Sequence, residues 1–234
     1  MLWFLLLANP QVANNLTDIY VGVKKNDPNR TANDFYPTPP LATYILCKYG
    51  NVPHKVIEPC AGRGHISSEL LRNGHDVISY DLNVYPDSLV DINTPYDALE
   101  LPKDKDVKGV ITNPPYHKNL PHKLAEKWTE EYDYTAMFLR LTFLEGKKRN
   151  KLFTNNPPSD IIYLSDRVKF DSKILEPVDK TEQIGCMIAY MWIIWDKKAK
   201  HKYTRCQWAM LEDEYNEWKL NYDKRKNENS FYFR

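Results

Sequence analysis

The 234-residue chain has little cysteine, almost no net charge and no long apolar run. Its four cysteines, Cys47, Cys60, Cys186 and Cys206, form no C-x-x-C pair, which excludes the common zinc spacings and a small disulfide framework. A reducing, cytoplasmic compartment fits that usage. With a formal net charge of +1, contact with nucleic acid has to come from local basic patches. The apolar residues 2–8 fall short of the roughly 18 needed to span a bilayer and lack the basic start of a secretory signal. They are expected to pack against the body, with no membrane partner. Internal repeats, low-complexity tracts and the three-glycine dinucleotide fingerprint are also missing.

What is present suits one globular domain. Charged residues make up 27% and hydrophobic ones 42%, and 16 Tyr with 6 Trp make the chain aromatic-rich. A domain of this size buries roughly 70% of the surface its unfolded chain exposes. Residues 9–34 are polar and aperiodic, so 1–34 reads as an N-terminal arm, 35–196 as the main domain and 197–234 as a basic segment followed by an amphipathic helix.

Within the main domain strands and helices alternate. The prolines before Leu41 pre-set a first helical turn, and Gly50 ends that helix. A strand over 55–58, a turn over 62–64, a helix over 66–72 closed by Asn73-Gly74, and a strand over 76–81 make a βαβ unit. Further strands are expected over 107–112, 135–141, 160–164 and 187–195, a helix over 120–132, and a basic helix or loop over 144–153. The pattern predicts an α/β, Rossmann-like, doubly wound and mostly parallel sheet of six or seven strands, with ligands at the strand carboxyl ends. Trp208, Leu211, Tyr215, Trp218 and Tyr222 recur at three- and four-residue spacing, so a C-terminal helix is expected to dock on its own domain.

Asn113-Pro114-Pro115-Tyr116 ends the apolar run Val110-Ile111-Thr112, where a buried strand meets its loop. The prolines have no N–H and fix their own φ angles, Asn113 offers a side-chain carbonyl, and Tyr116 offers a ring face. Two acceptors beside a ring suit a planar group with an exocyclic amino substituent. Glu58-Pro59-Cys60-Ala61-Gly62-Arg63-Gly64 lies between a strand and a helix, where its glycines let a ligand approach the backbone. Asp81 ends the next strand, placed to accept hydrogen bonds from ribose hydroxyls.

In that order, with Tyr36-Pro37-Thr38-Pro39-Pro40 ahead of them, these segments resemble the S-adenosylmethionine-dependent amino-methyltransferases, especially the adenine-N6 DNA methyltransferases and their compact phage-encoded forms. The resemblance covers about residues 34–195 and implies a class I methyltransferase fold with a seven-stranded sheet. It implies S-adenosyl-L-methionine as cofactor and DNA as partner, with RNA as the alternative, for a monomer or homodimer. Tyr36, Thr38 and Pro39 are expected at the methionine end of the cofactor, with Glu58, Pro59, Cys60, Ala61, Gly62 and Gly64 beneath it. Asp81 is expected at the ribose with Leu82 beside it, Asp91 at the adenine and Asn113 near the methyl group. Asn113, Pro114, Pro115 and Tyr116 are the catalytic candidates, holding a flipped target base.

RNA adenine or guanine methyltransferases and protein glutamine methyltransferases share this tetrapeptide and are the rival readings, followed by a non-catalytic nucleic-acid-binding subunit. Residues 196–234 are too few for a large target-recognition domain, which keeps RNA open. Basic clusters at His117, Lys118, His122 and Lys123, at Lys147, Lys148, Arg149 and Lys151, and at Lys197, Lys198, Lys200, Lys202 and Arg205 are candidates for phosphate contact. His117 and His122 lack companions for a metal, and none is assigned.

Overall fold

The computed structural model describes residues 36–168, 170 and 188–228, so the expected arm over 1–34 lies outside the described residues. Seven strands form one sheet: β1 (Lys55–Glu58), β2 (Asp76–Ser79), β3 (Gly109–Thr112), β4 (Tyr134–Arg140), β5 (Asp160–Leu164), β6 (Tyr190–Asp196) and β7 (Arg205–Ala209). Their order is β2-β1-β3-β4-β6-β5-β7. Only β6 runs against the others, antiparallel to both β4 and β5. Among the described residues five helices accompany them: α1 (Pro40–Tyr49), α2 (His65–Arg72), α3 (Leu120–Glu131), α4 (Lys147–Asn155) and α5 (Leu211–Glu228).

The sheet is covered on both faces, which is why its central strands are apolar without a break. Alternate residues such as Val56, Ile111, Phe138 and Trp192 meet α1, α2 and α5, while Ile57, Val110, Met137 and Ile193 meet α3 and α4. Each large side chain buried this way contributes roughly 1.5–3 kcal/mol, so the two layers hold the sheet as one unit. Registers Ile57↔Val110 and Val110↔Thr135 set β1, β3 and β4 side by side. The loops leaving β1 and β3 therefore emerge next to each other at one edge of the sheet.

The first helix follows its expected bounds closely. Pro40 opens α1, and the Gly50 N–H closes it on the Leu46 carbonyl at 2.7 Å. Its carbonyl at Ala42 accepts the Trp192 indole N–H at 2.8 Å, fixing the helix to β6.

The chain beyond β6 departs from expectation. Residues 205–209 form β7, an edge strand parallel to β5, and Trp208 belongs to that strand rather than to the helix. The alternation in Arg-Cys-Gln-Trp-Ala is too brief to mark a strand by itself, so the pairing with β5 decides it. Helix α5 does dock on its own domain. Trp218 is 1% exposed and donates to Glu69 Oε1 at 3.1 Å, while Lys48 reaches Glu214 and Glu217 at 2.7 and 2.6 Å. The Tyr44 hydroxyl donates to Glu217 and accepts from Asn221 Nδ2, at 2.9 and 2.8 Å. Among the described residues no helix is long and apolar enough to cross a membrane.

Candidate active site

The carboxyl ends of β1, β2 and β3 bring the three sequence motifs together. After β1 the chain turns sharply, and both turn glycines adopt positive φ, Gly62 at 57° and Gly64 at 83°. A Cβ on Gly64 would stand 2.6 Å from Val90 Cγ2, so the segment carrying Val90 lies tight against this turn. The Leu89 N–H also donates to the Arg63 carbonyl at 2.8 Å, tying the same segment to the turn by its backbone.

Glu58 is nearly fully buried, and its Oε2 accepts from the Ser67 backbone N–H at 2.7 Å and from the Ser67 hydroxyl. Gly64 has no side chain with which to cap α2, so the Glu58 carboxyl satisfies one of the helix's orphan N–H groups instead. Ser67 Oγ lies 2.6 Å from Ser79 Oγ, which links the carboxyl to the end of β2. Burial pushes the Glu58 pKa up to about 8, against the lowering effect of Ser67, and nearby Asp81 raises it further.

Asp81 follows the end of β2 and is buried. Its Oδ2 accepts from the Gly62 N–H at 2.7 Å and its Oδ1 from the Asn83 N–H at 2.7 Å. The carboxylate thus fastens the glycine turn to the second strand, and with Asn83 Nδ2 also on Oδ1 at 3.4 Å, Oδ2 keeps a lone pair for a further donor. Leu82 beside it is 58% exposed, an apolar side chain presented at the mouth of the turn. Asp91 is exposed.

Cys60 shows the electrostatics of the turn. Burial pushes its thiol pKa well up, followed by the negative charge of Asp81, with Glu58 and Asp97 contributing in the same direction. Asp97 had escaped the sequence reading. Its Oδ1 accepts from the Leu99 N–H at 2.9 Å, and buried Ala98 and Leu101 anchor the segment that carries it. Asp97, exposed like Asp91, adds negative charge felt at Cys60, and an acid just ahead of two buried apolar residues was the available signal. Positive-φ glycines, an acid at a strand end and an exposed leucine fit a nucleoside, and the surrounding carboxylates suit a ligand that carries positive charge.

Asn113 leaves β3 and reaches toward the segment ahead of α1. Its Nδ2 donates to the Tyr36 carbonyl at 3.2 Å and to Thr38 Oγ1 at 3.0 Å. A backbone carbonyl only accepts, so the amide nitrogen must face Tyr36, and the orientation of the side chain follows. Both amide hydrogens are used, which leaves the carbonyl oxygen Oδ1 as the end available to a ligand. Thr38 is buried, as are Pro37, Pro39 and Pro114, so the holder is rigid. Pro115 is half-buried.

Tyr116 has a companion that the sequence did not reveal. The Arg140 guanidinium, at the end of β4, lies 4.5 Å from the Tyr116 ring centroid, and the Arg140 backbone N–H donates to the Tyr116 hydroxyl at 3.0 Å. Arg140 Nε donates to the Tyr190 hydroxyl at 3.3 Å. Around it, Tyr190 stacks on Phe138 at 5.2 Å, and Phe170 meets Tyr190 at 4.8 Å and Tyr36 at 6.0 Å. Arg140 is 24 residues from Tyr116 in the chain, and only the β3–β4 pairing brings them together.

The basic clusters divide between the two sheet edges. His117, His122 and Lys123 follow Tyr116, and α4 with Lys147, Lys148, Arg149 and Lys151 follows β4, so both begin at the edge that carries the motifs. The run from Lys197 to Lys202 follows β6, whose last residue Asp196 pairs with Tyr134 at the start of β4. Lys197 bonds there to the carbonyls of Asp133 and Glu130, at 2.9 and 3.0 Å. Reversal of β6 puts this run at the opposite edge from Asn113.

No protein-family model and no curated protein matches the chain in sequence. In three dimensions it is similar to a Listeria monocytogenes protein assigned as a class I S-adenosylmethionine-dependent methyltransferase. The TM-score is 0.50 and the identity 14%, over 94% of this chain and 76% of that one. It also aligns with a Pyrococcus horikoshii protein assigned as an RNA methyltransferase (TM-score 0.49, 14% identity, 78% and 98% covered). An S-adenosylmethionine-dependent O-methyltransferase from Thermotoga maritima gives TM-score 0.45 and 18% identity, with 68% and 66% covered. The likeness to the Listeria protein is one of fold: the seven-stranded, mostly parallel sheet is the Rossmann-like fold of class I methyltransferases.

Proposed function

We propose that the protein is an S-adenosylmethionine-dependent methyltransferase acting on the exocyclic amino group of a nucleic-acid base, with the N6 amino group of adenine in DNA as the first reading. The observation that carries it is the Asn113 amide, held by Tyr36 and Thr38 with its Oδ1 free, on the loop adjacent to the glycine turn. Asn113 is half-buried, so its amide is oriented from the inside while Oδ1 stays open to a ligand.

In this reading the Gly62–Gly64 turn, Asp81 and the exposed Leu82 hold the nucleoside end of the cofactor, with Asp91 at its adenine on the segment that Leu89 and Val90 tie to the turn and Asp97 a second acid nearby. S-adenosylmethionine, when bound, supplies a methyl group on a cationic sulfonium. Asn113 Oδ1 and the Pro114 carbonyl accept the two hydrogens of the target amino group and aim its lone pair. Positioning of this kind contributes several kcal/mol, and no strong base is needed because the nitrogen sheds its proton to solvent once it carries the new methyl group. A base within a duplex is out of reach, so the target nucleotide leaves the stack. The Arg140 guanidinium covers one face of the Tyr116 ring, so a base that stacks on that face displaces it.

A second reading, an RNA base, is favoured by the fate of the C-terminal segment. Residues 205–228 complete the sheet and its α5 layer, and no separate target-recognition domain stands among the described residues. Transfer of tritiated methyl from S-adenosylmethionine to unmethylated DNA and RNA, with nucleoside analysis, tests both. N6-methyladenine in DNA is expected, and N4-methylcytosine alone would overturn the base assignment. Asn113→Ala should abolish transfer and leave calorimetric cofactor binding within about threefold, since the lost group faces the acceptor. Near-normal turnover by that variant would refute the mechanism.

A further inference from the structure

The α3–α4 face of the sheet stops short of its β7 edge. Helix α4 follows β4, and its Leu152 and Phe153 pack on the same layer as Ile161 and Tyr163 of β5. Beyond β5, Trp208 on β7 is 68% exposed and Cys206 is exposed as well. Trp208 pairs in register with Tyr163, and the two rings stack at 5.1 Å with an interplanar angle of 25°. An exposed Trp208 ring preset against a half-buried Tyr163 is unusual on a surface otherwise rich in charge.

Its position relates it to the site. Tyr163 and Trp208 lie near the carboxyl ends of β5 and β7, the edge at which Asn113 leaves β3. Strand spacing of about 4.8 Å puts them three and four strands from β3, about 14 and 19 Å away. Between them α4 presents exposed lysines, with Glu145 the acid at its head. Helix α4, KKRNKLFTN, holds four cations and no acid, and Lys147, Lys148 and Lys151 are exposed. At its head lies a cavity of about 490 Å³ lined by Leu144, Gly146, Lys147, Asn150 and Phe153, within the size range of ligand sites. Arg140, which covers Tyr116, precedes that head by a single turn of chain.

We propose that the strand flanking the target base runs from the Asn113 corner past the head of α4 and onto the Tyr163–Trp208 pair, which acts as a base-stacking shelf. The inference rests on the nucleic-acid reading above and adds where the substrate strand lies. Lysines that track phosphates beside rings that stack bases are the two parts that single-strand binding requires. The shelf is sequence-tolerant by nature, since every base has a π-face. It supplies substrate grip in a chain whose described residues hold no separate recognition domain.

The test is anisotropy titration of labelled single-stranded DNA and RNA of about 12 nucleotides, the span of such sites. The full-length protein is compared with Trp208→Ala and with the triple variant Lys147→Gln, Lys148→Gln, Lys151→Gln. Trp208→Ala is expected to weaken binding about tenfold or more. The triple variant is expected to reduce the slope of log affinity against log salt by about 2. The triple variant should keep the wild-type melting temperature, Trp208→Ala should lose only a few degrees with its Tyr163 contact, and both should keep the wild-type affinity for S-adenosylmethionine. Wild-type strand binding by both variants, or no strand binding by the parent protein, overturns the shelf. So does light scattering that shows Trp208→Ala splitting a dimer while strand binding is unchanged. Methyl transfer is read on the same samples. Transfer that is indifferent to Trp208 sinks the shelf and leaves the enzyme reading standing. Trp208-dependent strand binding without any transfer supports the shelf and sinks the enzyme reading.

Discussion

Glu58 should make the fold less stable as pH rises, the reverse of what a salt-bridged carboxylate does. Its pKa is pushed from 4.5 to about 8 by burial, so between those values the folded state holds a proton that the unfolded chain has released. With the native state binding more protons, the slope of unfolding free energy against pH is negative across that window. Integrating from pH 5 to pH 8 gives a loss of about 3 kcal/mol from this one group. Glu69, buried beside Trp218 and raised to about 7, adds a loss of the same sign. Urea denaturation at pH 5, 6.5 and 8 measures the total. Glu58→Gln keeps an acceptor for the Ser67 N–H and removes the titration, so it should flatten the curve and leave only the Glu69 part as the variant's own pH dependence. A parent protein whose stability holds constant or rises from pH 5 to 8, or a Glu58→Gln curve parallel to the parent's, would refute the reasoning. The outcome also bears on the site, because Glu58 caps the helix that starts at the glycine turn.

Trp218→Ala empties a fully buried position and strips Glu69 of its indole donor, so a loss of about 3–5 kcal/mol is expected in the same urea assay. Gly64→Ala puts a Cβ at φ +83° and against Val90, which should cost about 1–3 kcal/mol of stability and weaken calorimetric S-adenosylmethionine binding at least tenfold. Thr38→Val removes one of the two acceptors that orient Asn113. The rate of methyl transfer should fall about tenfold with cofactor affinity little changed, and equal loss of both would point to a disturbed cofactor site instead.

The motifs themselves were legible because each is local. Glu58 to Gly64 sits between a strand and a helix, and Asn113 to Tyr116 ends a strand, so short-range periodicity and proline and glycine chemistry locate them without knowledge of the partners. Two strands buried on both faces and joined by a helix imply a parallel sheet, and a parallel sheet places those loops at one edge. The apolar seam from Leu211 to Tyr222 likewise announced a helix that buries one side.

What the chain pattern left open depends on pairing over long separations. Strand β7 has a strand's conformation because β5 offers it a hydrogen-bonding edge, and its own residues 205–209 carry little preference. The reversal of β6 sends the basic run after it to the far edge, a consequence of sheet order that no local window contains. Arg140 comes to lie over Tyr116 because β3 and β4 are neighbours, and Trp208 meets Tyr163 because β5 and β7 are. Composition and periodicity located the first six strands, most of the helices, and the glycine- and proline-marked turns between them. Tertiary structure alone decided which side chains share a surface, because strand order is settled by the packing of both sheet faces at once.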